Sequence, residues 1–336
     1  MIKVIPRENF DDILWDKYFR LSRDIIKKHY PEGYDPHHKF LEFKEFIMNL
    51  SKNDESFNDF LILNCGTASA WFDSSVWEDV HYAGFDYLSD DVNENVLNAA
   101  FEKLYEINTD LKCSHTELVT YREKLINYLK SIDTPVIEDI HLSRLIRENM
   151  DASLYKEIIE NSDLKRWNTK CLNEIPGEII TEFVKSINKC FEDRDSLNKD
   201  YHHYPPLTSE EWYKDKQNLK SLGTNLEFLI LFDDNNKIAG FCWVCIDSYR
   251  KNTVRHNGGF TAVNPGYRGK GIAKYLKAKM YLKLLEENKD FKYVTTDTMP
   301  WNKYMYKINE EFGFKTYKRG CSFKLNTDFF RSYLNK

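Results

Sequence analysis

Short apolar runs and amphipathic stretches alternate along this chain in an order that occurs twice. Phe60-Leu61-Ile62-Leu63 is an unbroken apolar run, followed by a turn at Asn64-Cys65-Gly66 and a second strand-like run over 68–72. Phe228-Leu229-Ile230-Leu231 repeats the pattern, turning at 233–236 into a run over 238–246. Ala83-Gly84-Phe85 then parallels Gly258-Gly259-Phe260, and a loop and a helix-like run follow each. Strand, turn, strand, strand, loop and helix in one shared order point to an internal duplication.

The remaining segments fit around the two copies. Residues 118–132 read as a helix and 136–142 as a strand that finishes the first copy, and 145–162 as a polar helical connector. The second copy opens with a strand over 164–172. Next comes a helix whose apolar face is Ile179, Ile180, Phe183, Val184 and Ile187. Residues 191–206, dense in Asp and Asn and closing on Tyr201-His202-His203-Tyr204-Pro205-Pro206, read as a loop. The predicted division is a first domain over 1–144, a connector over 145–163 and a second domain over 164–336.

Composition narrows the class. A length of 336 residues suits two domains that each bury a core, and 15 % aromatic content argues against long disorder. A net charge of −5 with a pI near 6.0 argues against a nucleic-acid or anionic-membrane binder. Seven Cys without a framework spacing do not suggest a secreted disulfide scaffold. The first residues, Met1-Ile2-Lys3-Val4-Ile5-Pro6-Arg7, do not read as a signal peptide, and no apolar run approaches the ~20 residues of a membrane helix. A cytoplasmic protein is expected.

The densest chemical signal is Val263-Asn264-Pro265-Gly266-Tyr267-Arg268-Gly269-Lys270-Gly271-Ile272-Ala273, lying between a strand-like run (259–263) and a helix-like run (272–286). Glycines let several backbone N–H groups converge on one point, and a helix N-terminus adds orphan N–H groups and about half a positive charge. Arg268 and Lys270 add whole charges, so the loop is suited to phosphate. The spacing is neither that of nucleotide hydrolases nor that of a dinucleotide turn.

Arg268-x-x-Gly271-x-Ala273 resembles the pyrophosphate loop of the GNAT superfamily of acyl-CoA-dependent N-acyltransferases. The flanks agree: a strand-like run over 291–296, then Asn302 opening a helix that ends at Gly313-Phe314, with Met305, Ile308, Asn309 and Phe312 on one face. The resemblance implies an α/β (α+β) fold with mixed sheets: two tandem GNAT-like domains, each a mostly antiparallel sheet flanked by helices. In a gapless alignment from Phe85 and Phe260, Asn93, Glu94, Asn95 and Val96 stand where Arg268, Gly269, Lys270 and Gly271 do, and Asp90 and Asp91 replace Pro265 and Gly266. Carboxylates repel a pyrophosphate, so the first domain is expected not to hold CoA. The layout is similar to tandem GNAT proteins with a degenerate N-terminal domain.

By the same resemblance, Thr261, Ala262 and Val263 present backbone groups to the pantetheine arm and thioester of acetyl-CoA, the co-substrate. Arg268, Gly269, Lys270, Gly271, Ile272 and Ala273 hold its pyrophosphate, and Asn302 bonds the pantetheine. Many GNAT enzymes carry a Tyr four residues before the helix-ending Gly, but here that position is Asn309, which cannot give a proton to a thiolate. Tyr306, one turn earlier, is the substitute, followed by Tyr304, although either can simply pack. Asp247 and His256 are the candidate bases. The expected activity is acetyl transfer to a primary amine of a small molecule. Alternatives are a longer acyl-CoA or a peptide amine, and a non-catalytic acyl-CoA sensor. No nucleic acid, membrane or metal is expected to take part, and the oligomeric state is open.

Other groupings carry weaker signals. Cys242-x-x-Cys245 lies on a strand-like run, where residues three apart point to opposite faces, so it reads as two buried thiols. His37-His38 and His202-His203 diverge as neighbours do and lack a third ligand at motif spacing. Glu192, Asp193, Asp195, Glu210 and Glu211 read as solvated surface that can also draw a cationic amine. Lys274, Lys277 and Lys283 read as a solvated helix face, some of it within reach of the adenosine 3′-phosphate.

Overall fold

The computed structural model describes residues 1–29, 39–53, 56–77, 79–89, 93–197, 206–248, 252–287 and 290–335. The first stretch of chain runs β1 (Ile2–Pro6), α1 (Asp12–His29), α2 (Phe40–Asn53), β2 (Asn58–Asn64), β3 (Thr67–Trp77), β4 (Val80–Tyr87), α3 (Glu94–Asp110), β5 (His115–Thr120), α4 (Glu123–Ser131) and β6 (Val136–Ile146). After α5 (Ala152–Glu160), the second runs β7 (Asn168–Leu172), α6 (Gly177–Leu197), α7 (Ser209–Ser221), β8 (Thr224–Phe232), β9 (Ile238–Asp247), β10 (Thr253–Val263), α8 (Ile272–Glu287), β11 (Tyr293–Thr298), α9 (Lys303–Glu311) and β12 (Lys315–Asn326), and α10 (Thr327–Leu334) ends the chain. The order β-α-α-β-β-β-α-β-α-β therefore occurs twice. The duplication read from the apolar quartets extends over whole units.

The quartets show why. In β2, Phe60 and Ile62 enter one core with Phe101 of α3, while Leu61 and Leu63 enter another with Phe19 of α1 and Phe43 of α2. In β8, Leu229 and Leu231 pack with Leu276 of α8, while Phe228, Ile230 and Phe232 pack with Phe183 of α6. A strand covered by helices on both faces has no polar position to spare, hence the unbroken hydrophobicity. In both units the hairpins are antiparallel, and one pair is parallel: β4 with β5, and β10 with β11.

The compact units divide differently from the predicted boundaries. One comprises Met1–His141 with Lys318–Lys336, the other Leu142–Tyr317. The strand β6 starts in the first unit and ends in the second, and β12 does the reverse. Within the first unit, residues Cys321 to Asn326 of β12 pair antiparallel with β5. Exchange of terminal strands leaves the local pattern of either strand unchanged, so apolar alternation cannot reveal it.

Several local expectations shift as well. Residues 118–132 are not one helix: Thr116, Leu118 and Thr120 alternate inward along β5 before α4 begins. Residues 145–162 are not a polar connector, because α5, capped by Asp151, sends Tyr155 into the second unit's core against Tyr281 and Phe312. The start of the 164–172 stretch is a 3-10 turn, and the strand is confined to Asn168–Leu172. The loop expected over 191–206 starts late: α6 continues to Leu197, and Phe191 packs edge-on against Phe260 at 5.3 Å. His37-His38 and His202-His203 lie outside the described residues.

The first unit carries buried and half-buried polar groups on neighbouring strands β2 and β3. Arg7 pairs with Asp59 at 2.9 Å, Tyr18 donates to Asp59 at 3.1 Å, and Asp73 accepts from the backbone N–H of Gly84 at 3.0 Å. Burial, reinforced by the neighbouring Asp59, raises Asp73 to about 7. A carboxyl raised on folding stabilises the fold at low pH, and that contribution is lost as pH rises through about 7. Asp73→Asn keeps an acceptor for Gly84 and removes the charge. It should raise stability at pH 8 by roughly 1–4 kcal/mol, towards the low end because Asp73 is only half-buried, and should have little effect at pH 4. Urea unfolding at the two pH values checks this.

Candidate functional site

The second unit's β10 breaks its own regularity. It pairs with β9 through Val254↔Ile246 and Arg255↔Cys245, then again from Phe260↔Trp243 to Val263↔Gly240, with a shift of register between. On its other edge it pairs with β11 over Thr253 to Arg255 only. Beyond that point the parallel strands part, and the backbone of residues 260–263 carries no recorded pairing on the β11 side among the described residues. The bulge needs glycine. A Cβ on Gly259 would lie 2.0 Å from the Trp243 carbonyl oxygen, a contact no side chain can make.

The strand delivers the phosphate-type loop. Asn264 fixes its start: its side chain donates to the Ile238 carbonyl at 2.6 Å and to Ser186 Oγ at 3.1 Å. A 3-10 turn over Pro265–Tyr267 follows, and Tyr267 donates to Asp233 at 2.8 Å. Gly269 and Gly271 have φ of 78° and 76°, the left-handed region that favours glycine, and no heavy atom lies within 4 Å of where their Cβ would be. Residues 268–271 are exposed, and Lys270 sits over the rings of Trp167 and Tyr267 at 5.8 and 5.5 Å. Behind the loop, Ile272 is buried against Gly240, where a Cβ would meet its Cγ2 at 2.7 Å. An open, cationic backbone cradle at the start of α8 fits a pyrophosphate.

The first unit lacks both devices among its described residues. From Ala70↔Tyr87 to Trp77↔Val80 the β3–β4 register is unbroken. The helix α3 starts at Glu94, so Asn93, rather than Val96, is the counterpart of Gly271. The Asn93 side chain accepts from the Val96 N–H at 3.2 Å, closing the helix end that α8 leaves open.

The proposed catalytic groups are spread apart. Tyr304 is 89 % exposed, while the Tyr306 hydroxyl lies 3.2 Å from Thr316 Oγ1, itself 3.2 Å from Ser143 Oγ. Asn302 caps α9 through the Met305 N–H. Asp247 is buried with its oxygens on Arg255 (2.5 and 2.9 Å) and Thr224 (2.7 Å), which makes it part of an ion pair instead of an open base. His256 is buried, its ring bonded to Tyr281 OH at 2.9 Å and Thr261 Oγ1 at 2.7 Å, and burial with the nearby Lys277 charge holds it well below the usual histidine range. Cys242 and Cys245 fall in opposite cores, and burial raises both thiols to about 11.

The helix-face lysines are not a solvated stripe. Lys274 pairs with Glu311 at 2.8 Å and Lys283 with Glu227 at 2.7 Å, while Lys277 is 1 % exposed. Lys277 Nζ donates to Asn309 Oδ1 at 2.8 Å, and Asn309 Nδ2 donates to Thr298 Oγ1 at 2.8 Å. Next to Thr298 on β11, Asp297 points to the other face by strand alternation, and burial raises it to about 6. Neither Lys277 nor Asp297 stands out in the sequence. One signal was available: Lys277 falls on the same helix face as the apolar Ala273, Tyr281 and Leu284. Of the acidic group, Glu211 forms a capping box with Thr208, and the side chains of Asp193 and Asp195 lie outside the described residues. Among the described residues no group of His, Cys, Asp and Glu could hold a metal, and no helix is long and apolar enough to cross a membrane.

Residues 186–314 match the model of the acetyltransferase (GNAT) family. No curated protein sequence matches the chain. Among solved structures, a tandem GNAT protein from the clavulanic acid biosynthesis pathway aligns with TM-score 0.73 at 11 % identity, over 97 % of this chain and 98 % of that one. A GCN5-related N-acetyltransferase from Sphaerobacter thermophilus aligns with TM-score 0.66 at 12 % identity, over 96 % and 95 %. A glucosamine N-acetyltransferase region of a fungal multi-domain β-N-acetylglucosaminidase aligns with TM-score 0.61 at 10 % identity, over 96 % of this chain and 38 % of that one.

The bulge at Gly259 can be tested directly. Gly259→Ala should cost about 1–3 kcal/mol through forced displacement of backbone, whereas Gly266→Ala, with open space around its Cβ, should stay within about 0.5 kcal/mol. Thermal melts of the two variants side by side check this.

Proposed function

With residues 186–314 a GNAT-family domain and the chain sharing the tandem-GNAT fold, we propose that the second unit transfers an acetyl group from acetyl-CoA to a primary amine of a small molecule. The observation that carries this reading is the pairing of an open, cationic cradle at Arg268–Gly271 with a strand, β10, whose edge is released from β11. The cradle holds the pyrophosphate through backbone N–H groups and the charges of Arg268 and Lys270. The edge of Thr261, Ala262 and Val263 offers backbone groups at the spacing of a β-ladder to the amides of the pantetheine arm, except the Val263 carbonyl, which accepts from Arg268 Nε at 3.4 Å. Asn302, whose Oδ1 caps α9, offers its Nδ2 to the same arm.

Transfer also requires the amine to lose a proton. Asp247 and His256 are committed to other partners, and Asp297 is the better base. Its carboxyl is ionised above about pH 6 and lies on β11 where the strands part.

Calorimetric titration with acetyl-CoA should give one site per chain, because α3 of the first unit is closed by Asn93. A fitted stoichiometry near two would contradict the reading. Gly271→Val should abolish binding, since a β-branched residue resists the left-handed conformation at this position. Arg268→Ala should lose about 1–3 kcal/mol, because the backbone donors remain. Thiol release across an amine panel with acetyl-, propionyl- and succinyl-CoA then identifies the donor. CoA binding without release on any amine would favour a sensor.

A further inference from the structure

Two aromatic rings meet beside the cradle. Tyr267 belongs to the cradle's own loop, and Trp167 follows the 3-10 turn over Asp163–Arg166. They pack edge to face, with centroids 6.0 Å apart and planes at 90°. Each is fixed from behind. The Tyr267 hydroxyl donates to Asp233, which also accepts from the N–H groups of Asn235 and Lys237 at 2.9 and 2.8 Å. The Trp167 N–H donates to the Leu164 carbonyl at 3.0 Å, and the Ser162 side chain caps the turn. Both rings pack against the second unit's core yet stay half-buried. Lys270 lies over the pair, and because Lys270 is itself exposed, the space above the rings opens to solvent.

Their position matters as much as their chemistry. In the second unit the strands lie in the order β11-β10-β9-β8-β7. Tyr267 is tied to the turn between β8 and β9, and Trp167 directly precedes β7, so the rings stand on the side of β10 away from β11. The pyrophosphate of CoA joins the pantetheine arm to an adenosine 3′-phosphate. An arm on the β11 side therefore leaves the adenosine to the side of the rings. The helix lysines expected to meet its phosphate are engaged elsewhere: Lys274 with Glu311, Lys283 with Glu227, and Lys277 in the core. Lys165 and Arg166 are exposed in the turn before Trp167 and outnumber Asp163 there, which suits an aromatic ligand that carries phosphate. Lys165 Nζ also donates to the Glu160 carbonyl at 2.7 Å.

Resting on the acyl-CoA reading above, we propose that Trp167, braced by Tyr267, is the stacking platform for the adenine of CoA. The chain then selects CoA thioesters over phosphopantetheine thioesters, which lack the adenosine. Every base has a π-face to lay on an indole, so the platform needs no particular hydrogen-bond partner. Lys270 does not compete with the base. Ring faces hold an exposed ammonium only weakly, whereas a pyrophosphate offers full negative charge, so Lys270 turns to the phosphates and yields the ring.

The test measures binding to the full chain. By calorimetry, the wild type should bind CoA more tightly than 4′-phosphopantetheine. Trp167→Ala should weaken CoA and adenosine 3′,5′-bisphosphate by roughly 5–150-fold, the range of base stacking on an aromatic side chain, and leave 4′-phosphopantetheine unchanged. Trp167→Phe keeps a ring and should lose less. Unchanged CoA affinity in Trp167→Ala would overturn the proposal. So would equal losses for CoA and 4′-phosphopantetheine, because Trp167 would then only prop the cradle. Indole fluorescence decides alone if Trp167→Ala does not fold. Adenosine 3′,5′-bisphosphate should quench the wild type, and the quenching should disappear in Trp167→Phe while binding persists; quenching of the same size in that variant would overturn the proposal. A wild-type chain that binds CoA and 4′-phosphopantetheine equally would overturn the platform alone. One that binds no CoA would overturn the acyltransferase reading, and this proposal with it.

Discussion

The irregular stretch of β10 in the second unit depends on one close approach, that of the Gly259 backbone to the carbonyl of Trp243. Because no Cβ stands between them, β10 can take up an irregular stretch, resume its ladder with β9 at Phe260, and turn its other edge away from β11. Backbone groups that a regular sheet would consume are left for another partner. An exposed pair of N–H and C=O groups at the centre of a domain is costly unless something uses it. The first unit, built from the same order of elements, keeps an unbroken β3–β4 register and shows what the fold is without that approach.

Electrostatics separate the two units in the same sense. At the second unit's loop, positive φ at Gly269 and Gly271 leaves helix N–H groups facing solvent beside Arg268 and Lys270. At the first unit's, Asn93 satisfies the helix end from within the chain. Arg122, at the start of α4, gives its guanidinium to the Ser89 carbonyl at 2.6 Å and covers the Tyr87 ring at 4.4 Å. One helix start is open to an anion and the other is capped by a side chain of its own.

Inside the second unit the polar groups are arranged in lines, not scattered. One line runs Tyr281–His256–Thr261, and another runs Lys277–Asn309–Thr298. Each has its members satisfied by neighbours, as burial demands. They differ in charge. Burial keeps His256 neutral, whereas the second line ends in a buried lysine.

The sequence by itself determined the duplication, the phosphate-type loop and the helix that begins at Asn302. These depend on local pattern: four apolar residues in a strand covered on both faces, glycines where φ must be positive, an Asn that caps. It also separated Cys242 from Cys245 correctly, because strand alternation is a local rule. Only the tertiary structure decided what depends on neighbours distant in the chain. Lys277 looks like one of several helix lysines until Met305, Phe314 and Asn309 enclose it. Asp247 looks like an open carboxylate until Arg255 and Thr224 occupy its oxygens. Tyr306, placed correctly one turn from Asn302, turns out to have its hydroxyl beside Thr316. The exchange of β6 and β12 leaves no trace in either strand, because a strand's alternation records that a partner exists and not which part of the chain supplies it.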